Sequence, residues 1–197
     1  MKLFDISIFD MRGDKPVILT EARDLSSFNF FQRSSVEEYM NFFTTTLAER
    51  TDEGVRQSVQ EKQYFCHVHN RQDKLCGVVI VDEEYPARVA FSIISKALEE
   101  FKSKYPVASW TSNPRDMPFP ELAEMLKKYQ DPAQADSMLK VQQELDETKV
   151  VLHKAMESVL KRDEHLDDLV AKSDQLSSTS KVFYKKAKAA NSCCVVV

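Results

Sequence analysis

The hydrophobic positions of residues 1–130 change repeatedly between a period of two and a period of three to four. Short alternating runs predict strands, whereas apolar stripes at the helical spacing predict helices. The predicted strands are 3–9, 17–22, 55–59, 64–69 and 75–81, and the predicted helices begin near Ser35, Pro86 and Glu121. Elements in this order predict an α+β fold, in which helices cover an antiparallel sheet.

The first predicted helix contains one aromatic residue that its apolar face does not explain. Ser35, followed three residues later by Glu38, is a capping box and predicts the start of the helix. The apolar face comprises Val36, Tyr39, Met40, Phe43 and Leu47. Phe42 lies more than a quarter turn from that face, so we expect its ring to point outward.

Three further aromatic residues precede this helix: Phe28, Phe30 and Phe31. Together with Phe42 they predict an exposed apolar patch, and such a patch usually marks a binding site. The alternative is that the loop packs over Phe42 and completes the core. If the patch is a binding site, we expect it to receive the apolar face of the chain's own C-terminal helix, or a lipid.

After residue 130 the pattern changes to one uninterrupted helical period. Residues 131–137 are a predicted linker, because Pro132 would break a helix and its neighbours are small or polar. From residue 138 to residue 190 an alternating three-and-four spacing predicts a long coiled-coil helix. The positions of this heptad seam are Met138, Val141, Leu145, Thr148, Leu152, Ala155, Val159, Arg162, Leu166, Leu169, Ser173, Leu176, Ser180, Phe183, Ala187 and Ala190.

Arg162 interrupts the middle of this apolar seam. A buried guanidinium is costly unless oxygen atoms accept its hydrogen bonds, and two such arginines would repel each other in a homodimer. The sequence therefore predicts a bundle with different partner helices that supply amide or carboxylate oxygens. The alternative is an arginine that bends out of an ordinary coiled coil towards water.

Composition excludes several classes of function. The 27 basic and 31 acidic side chains give a net charge of -4, which argues against binding nucleic acid. The N-terminal sequence lacks a secretory signal, and no run approaches the ~20 apolar residues of a membrane-spanning helix. With 3 glycines and no phosphate-binding loop or nucleophile motif, the sequence does not predict an enzyme or a cofactor.

Three residues of metal-binding type lie close together in the predicted sheet. His67 and His69 share a face of a predicted strand, and Cys76 on the next strand would lie opposite His67. Such a trio could hold zinc, but no fourth ligand is evident. We therefore predict no metal site.

The C-terminus predicts a lipid anchor in residues 191–197. Cys194 followed by three valines has the form of a prenylation signal, and Cys193 is a candidate for palmitate or a second lipid. The terminal valine leaves farnesyl and geranylgeranyl open. Four nearby lysines, at 181, 185, 186 and 188, favour an anionic membrane surface. The alternative is that both thiols are unmodified.

The sequence around Arg162, from Val159 to Leu169, resembles the centre of R-SNARE motifs, with Arg162 at the position of the ionic-layer arginine. The resemblance covers 138–190, and residues 1–130 resemble a longin domain. That domain has a profilin-like fold: a five-stranded antiparallel sheet with helices on both faces. With its cysteine ending, the whole chain is similar to the prenylated branch of longin R-SNAREs.

This resemblance implies a function. Longin R-SNAREs form a four-helix bundle with three glutamine-contributing SNARE helices and drive vesicle fusion. They are also inhibited by their own longin domain. We accordingly expect the chain in the cytosol and on the cytoplasmic face of the Golgi, vesicles, endosomes or vacuole. The alternative is a lipid-anchored scaffold or tether that uses the same helix without driving fusion.

Overall fold

In the computed structural model, the described residues are 1–111, 113, 117–131, 134 and 150–192, the last three of them by their backbone only. Six strands are present in these residues: β1 (Leu3–Asp10), β2 (Val17–Arg23), β3 (Arg56–Glu61), β4 (Tyr64–Asn70), β5 (Leu75–Asp82) and β6 (Val150–His153). The α-helices are α1 (Arg33–Glu49), α2 (Ala87–Lys104), α3 (Pro120–Lys128), α4 (Leu166–Lys172) and α5 (Ser178–Ser192). The predicted α+β fold is confirmed.

The strands form one sheet in the order β2-β1-β5-β4-β3-β6. The first five pair antiparallel, as expected, because alternating apolar residues and short turns favour such neighbours. β6 adds a sixth strand, parallel to β3. The sheet is therefore mixed, and its last strand comes from the region with the heptad pattern.

Each face of the sheet has its own hydrophobic core. On one face, β-strand side chains such as Ile6 and Val79 pack with α2 and α3, and Tyr129 and Phe101 are fully buried there. The close approach of α2 depends on Gly77 of β5, because a Cβ atom at that position would lie 2.6 Å from the Cγ2 atom of Ile94. On the other face, the core contains the apolar side of α1 together with residues from the heptad segment.

The start of α1 differs from the prediction. The helix begins at Arg33, and its N-cap residue Gln32 makes no side-chain capping bond. Ser35 is buried inside the helix, and Glu38 accepts a hydrogen bond from the backbone N–H of Ser177 instead of capping α1. The capping-box prediction was wrong because the helix begins two residues before Ser35, which places Ser35 inside its first turn.

The heptad segment, residues 138–190, was expected to be one long helix. Residues 138–149 lie outside the described part of the chain, as do residues 132, 133 and 135–137 of the predicted linker. Residues 150–192 form β6, a short 3₁₀ helix at Met156–Val159, α4 and α5. An amphipathic helix is stable only when its apolar face is covered, and here the described part of the segment bends so that the N-terminal domain covers it.

Candidate functional site

The candidate site is the contact between α1 and the heptad segment. Three seam residues are buried in the core on this face: Leu166 and Leu176 are 7% and 4% exposed, and Ser180 is fully covered. Val159, Leu169 and Phe183 are partly buried against the same core. The core residues contributed by α1 are Val36, Met40, Phe42, Phe43, Leu47 and Ala48. The side chains predicted for a helical bundle are thus used here against the chain's own domain.

Two fully buried residues of the segment lie outside the predicted seam. Met156 and Val170 are 0% and 2% exposed, and both belong to the α1-side core. The heptad spacing missed them because it assumes one straight helix, whereas the segment turns between its short elements. The sequence does contain one indication of their burial: both are apolar residues on the side of the predicted helix that is otherwise polar.

The remaining seam positions are less covered. Leu152 is 65% exposed on β6, and Ala155, Ser173 and Ala187 are half-buried. Met138, Val141, Leu145 and Thr148 lie outside the described residues, and the side chain of Ala190 is not described. Within residues 150–189, whose side chains are described, the buried side chains of the segment begin at Met156.

Arg162 is solvent-exposed in the turn between the 3₁₀ helix and α4. This turn is closed by a 2.9 Å hydrogen bond from the N–H of Glu164 to the carbonyl of Lys161. The Arg162 side chain is accessible to solvent in this conformation. The prediction that Arg162 occupies an ionic layer concerns a bundle, and it stays a prediction.

Phe42 is buried in the α1-side core, so the prediction that its ring points outward was wrong. It is 6% exposed and shares the α1-side core with Leu166, Val170 and Leu176. Phe28 is partly buried against that core, whereas Phe30 and Phe31 are 75% and 90% exposed. The expected four-residue patch is thus divided, because Asn29 caps the short 3₁₀ helix of Phe30 and Phe31 and turns both rings away.

Aromatic stacking joins α1 to α5. The rings of Tyr39 and Tyr184 are stacked with centroids 5.3 Å apart. The hydroxyl of Tyr184 donates to Asp167 Oδ1 at 2.8 Å, and Lys188 donates to the other oxygen of Asp167 at 2.5 Å. Burial raises the pKa of both tyrosines above the usual range, so the hydroxyls are protonated. This contact orients α5 against both α1 and α4.

Three polar contacts also fasten the segment to the domain. Arg50 Nη2 lies 2.9 Å from Glu164 Oε1, the Ser177 N–H donates to Glu38 at 2.7 Å, and the Met156 N–H donates to Glu61 at 3.3 Å. Burial acts to raise the pKa of Glu38, but hydrogen bonds from Ser177 and Ser180 outweigh it and hold this pKa below its usual value. The ionised carboxylate is therefore the form that the docked segment favours.

β6 attaches the start of the described segment to the edge of the sheet. Val150 to His153 pair in parallel with Arg56 to Val59. Val150, Val151 and Leu152 remain 41%, 40% and 65% exposed. Since these side chains bury little apolar area, backbone pairing is the main contact of this strand.

The structure separates the residues considered for zinc. Cys76 pairs across from Asn70, not from His67, and it packs in the α1-side core. His67 faces the other core, where it stacks on Phe65, contacts the edge of Phe91 and shares a 2.7 Å hydrogen bond with Ser58. Burial lowers the pKa of His67 to about 4. The expected register of Cys76 was wrong because the β4–β5 turn places position 76 opposite position 70.

Cys193 and Cys194 of the predicted anchor lie outside the described residues. Cys66 and Cys76 are buried free thiols, and burial raises the pKa of Cys66 to about 12. Among the described helices, none combines the length and the apolar character needed to cross a membrane.

Comparison with known proteins gives two family matches that divide the chain. A longin model, described as a regulated-SNARE-like domain, matches residues 25–126, and a synaptobrevin model matches residues 137–195. The chain is 57% identical over 198 residues to a Schizosaccharomyces pombe protein named Synaptobrevin homolog ykt6. It is 48% identical over 200 residues to the Saccharomyces cerevisiae Synaptobrevin homolog YKT6. Each alignment covers 100% of both proteins.

Proposed function

The chain belongs to the longin-domain synaptobrevins, a non-enzymatic SNARE family that acts in vesicle fusion, and on that premise we propose that it is a self-inhibited, lipid-anchored R-SNARE. In this proposal its heptad segment forms a four-helix bundle with three glutamine-contributing SNARE helices. Arg162 forms the ionic layer of that bundle.

The observation that carries the proposal is the polar residue at the centre of the seam. Val159 and Leu166 flank Arg162 at seam positions, so a straight helix would place its guanidinium inside a bundle. Glutamine side chains offer neutral carbonyl oxygens that accept its hydrogen bonds there. Arg162 would thereby fix both the register and the choice of partner helices.

Self-inhibition is supported by the burial of seam side chains, which a bundle would need, in the chain's own domain. Leu166 and Leu176 cannot pack in the α1-side core and against partner helices at the same time, and both are buried in that core. The docked segment is the closed form in this proposal, and the Phe42 region of α1 is its receptor. Release of the segment precedes bundle formation, and partner helices shift the population towards the open form.

The anchor is the third part of the proposal. An isoprenoid on Cys194 and palmitate or a second lipid on Cys193 would hold the open form on endomembranes, because one chain alone binds only reversibly. The lysines of α5 add attraction to anionic lipids. The sites of action proposed are the cytoplasmic faces of the Golgi, vesicles, endosomes or vacuole.

A reconstitution with candidate glutamine-SNARE helices tests this function. The chain should form a heat-stable, SDS-resistant complex with one set of three helices, and Arg162→Ala should weaken it. Lys161→Ala, which changes the exposed neighbour, should leave it intact. Failure to form a complex with any set, or equal effects of both substitutions, would overturn the proposal.

Liposome fusion separates the proposal from the tether alternative. With the lipidated chain on one population and glutamine SNAREs on the other, we expect mixing of lipids and of contents. Clustering of the liposomes without mixing would instead support a lipid-anchored tether.

A further inference from the structure

The outer edge of β3 would lose its paired strand if the heptad segment detached from the domain. In the closed form, the backbone of β3 from Arg56 to Val59 pairs with Val150 to His153. β3 lies between β4 and β6 in the sheet, so β6 covers this edge. Among the described strands, β6 alone pairs with this edge, so the edge would be uncovered without it.

Bundle formation requires β6 to leave. Leu152 and Ala155 are seam positions, and they can enter a helical bundle only if residues 150–155 become helical. The N–H groups of a helix bond to carbonyls four residues back, so a helical backbone cannot also pair with β3. Opening therefore leaves the β3 edge with unpaired backbone groups, and such an edge is a template for another strand.

A second feature lies beside this edge. Met156 is fully buried in the α1-side core, and its N–H donates to Glu61 at the end of β3. When the segment leaves, the space that this side chain fills and the Glu61 carboxylate both become available. The vacated site thus combines a strand edge, an apolar recess and an acceptor for one backbone N–H.

We propose that the open form of this protein binds an extended peptide of a partner protein at the β3 edge, by β-strand addition. The chain's own segment defines the chemistry of that ligand: four residues parallel to β3, then an unbranched apolar side chain three residues further on for the recess of Met156. The half-exposed side chains of β6 indicate that the strand residues contribute mainly backbone hydrogen bonds. Such a partner would bind the open form and not the closed form, because β6 occupies the β3 edge when the segment is docked. The inference rests on the proposed bundle, which supplies the reason for opening.

Peptide binding to full-length protein tests the inference. The probe is a fluorescent peptide with the sequence of residues 150–160, VVLHKAMESVL. The matched control peptide carries Val151→Pro, which removes a backbone donor and disfavours strand pairing. Three receptors are compared: the closed chain, the chain in a bundle with glutamine-SNARE helices, and the double variant Leu166→Glu/Leu176→Glu without partners.

We expect the probe to bind both open receptors at least about tenfold more tightly than the closed chain, and the proline peptide to lose about tenfold. Hydrogen exchange locates the site: the amides of residues 56–59 that face β6 should exchange about tenfold faster on opening and regain protection with the probe, whereas those bonded to β4 should not change. Equal binding of both peptides, equal binding to closed and open chains, or unchanged exchange of β3 would overturn the inference.

Two further outcomes are informative. A concentration-dependent dimer of the double variant that excludes the probe would identify a second copy as the occupant and overturn the peptide partner. If no bundle forms but the double variant binds the probe as expected, the proposed function fails while the β3 site stands. Circular dichroism and melting of the double variant establish that the longin domain is folded in every comparison.

Discussion

The longin domain and the heptad segment bury their apolar residues in different ways. In the domain, α2 and α3 cover one face of the sheet with residues from the same continuous region, and α1 supplies most of the other core. The segment from 150 to 192 has short elements, of which α4 spans only 7 residues. Its buried residues belong to the same core as the apolar side of α1. The core under α2 and α3 thus consists of domain residues alone, whereas the buried residues of the segment depend on the surface of α1 and the sheet.

The largest expected effect comes from placing a charge at a buried position of the segment. Leu166→Asp or Leu169→Asp should abolish the bundle, because an unpaired carboxylate in its interior is strongly unfavourable. Asp168→Ala changes an exposed side chain and should leave the complex unchanged. The measurement is the SDS-resistant complex on gels. Equal effects of all three substitutions would contradict the assigned seam.

Loss of the anchor should be almost as severe in cells. Cys194→Ser should leave the protein soluble and inactive, since we expect prenylation to precede lipidation of Cys193 and the lysines alone bind weakly. Fractionation and a transport assay measure this, and Cys66→Ser in the buried core is a control for thiol loss. Full recovery of the Cys194→Ser protein on membranes would contradict the anchor.

Phe42→Glu should detach the segment while the domain remains folded. The buried charge disfavours the docked form, so we expect partner helices to associate several-fold faster and residues 150–190 to become more sensitive to protease. Leu176→Glu makes the same change from the side of the segment and should raise protease sensitivity in the same way. It should not speed association with partners, because Leu176 is also a seam position of the bundle. A folded Phe42→Glu protein with unchanged association rates and protease sensitivity would exclude the α1 surface as the receptor.

Acid should weaken the domain through His67, which lies in the core that the segment does not touch. The folded-state pKa of about 4 is below the unfolded value of about 6.5. The unfolded chain thus binds more protons between these values, and stability should fall by about 3 kcal/mol as pH decreases through this window. His67→Gln should flatten that dependence in urea unfolding at several pH values. A wild-type protein equally stable at pH 7 and pH 4.5 would contradict this account.

The smallest effect should be at Glu38. Its lowered pKa means that docking is favoured above the usual carboxylate pKa and weakened as pH falls through the folded-state value. Glu38→Gln should loosen docking by about 0.5 kcal/mol, a small value because water screens this contact. Hydrogen exchange of Ser177 and its neighbours measures it, with Glu49→Gln as an exposed control. An equal response to both substitutions would remove Glu38 from the contact.

Local pattern predicted the sheet well and the docked segment poorly. The strand predicted at 75–81 is β5 at Leu75–Asp82, because alternation and a turn report directly on neighbouring residues. Glu38 and Phe42 were misplaced because what covers them lies more than a hundred residues away in sequence. The burial of Asp5 also depends on a residue that is distant in sequence. Asp5 is fully buried because the pairing of β1 with β2 places Arg23 beside it, at 2.6 Å. Residues whose partners are distant are those that periodicity cannot place.

Arg162 marks the limit of the sequence argument for the site. Its spacing predicts an interior position in a bundle, yet in this conformation it is exposed in a turn. In the proposed function one sequence pattern would serve two packings, and periodicity describes only the straight helix. Met156 and Val170 are buried in this conformation, although the heptad spacing leaves both outside the seam.

The parallel pairing of β3 with β6 has a consequence for how the protein is made. The partners Arg56 and Val150 are far apart in the chain, and domains generally fold as they emerge, N-terminal first. Synthesis of residues 131–192 takes roughly 3 to 12 s at ribosomal speed. During that interval the β3 edge and the apolar side of α1 are complete but uncovered. Each new molecule therefore passes through an open-like stage before its own segment arrives, and cellular chaperones have those seconds in which to meet it.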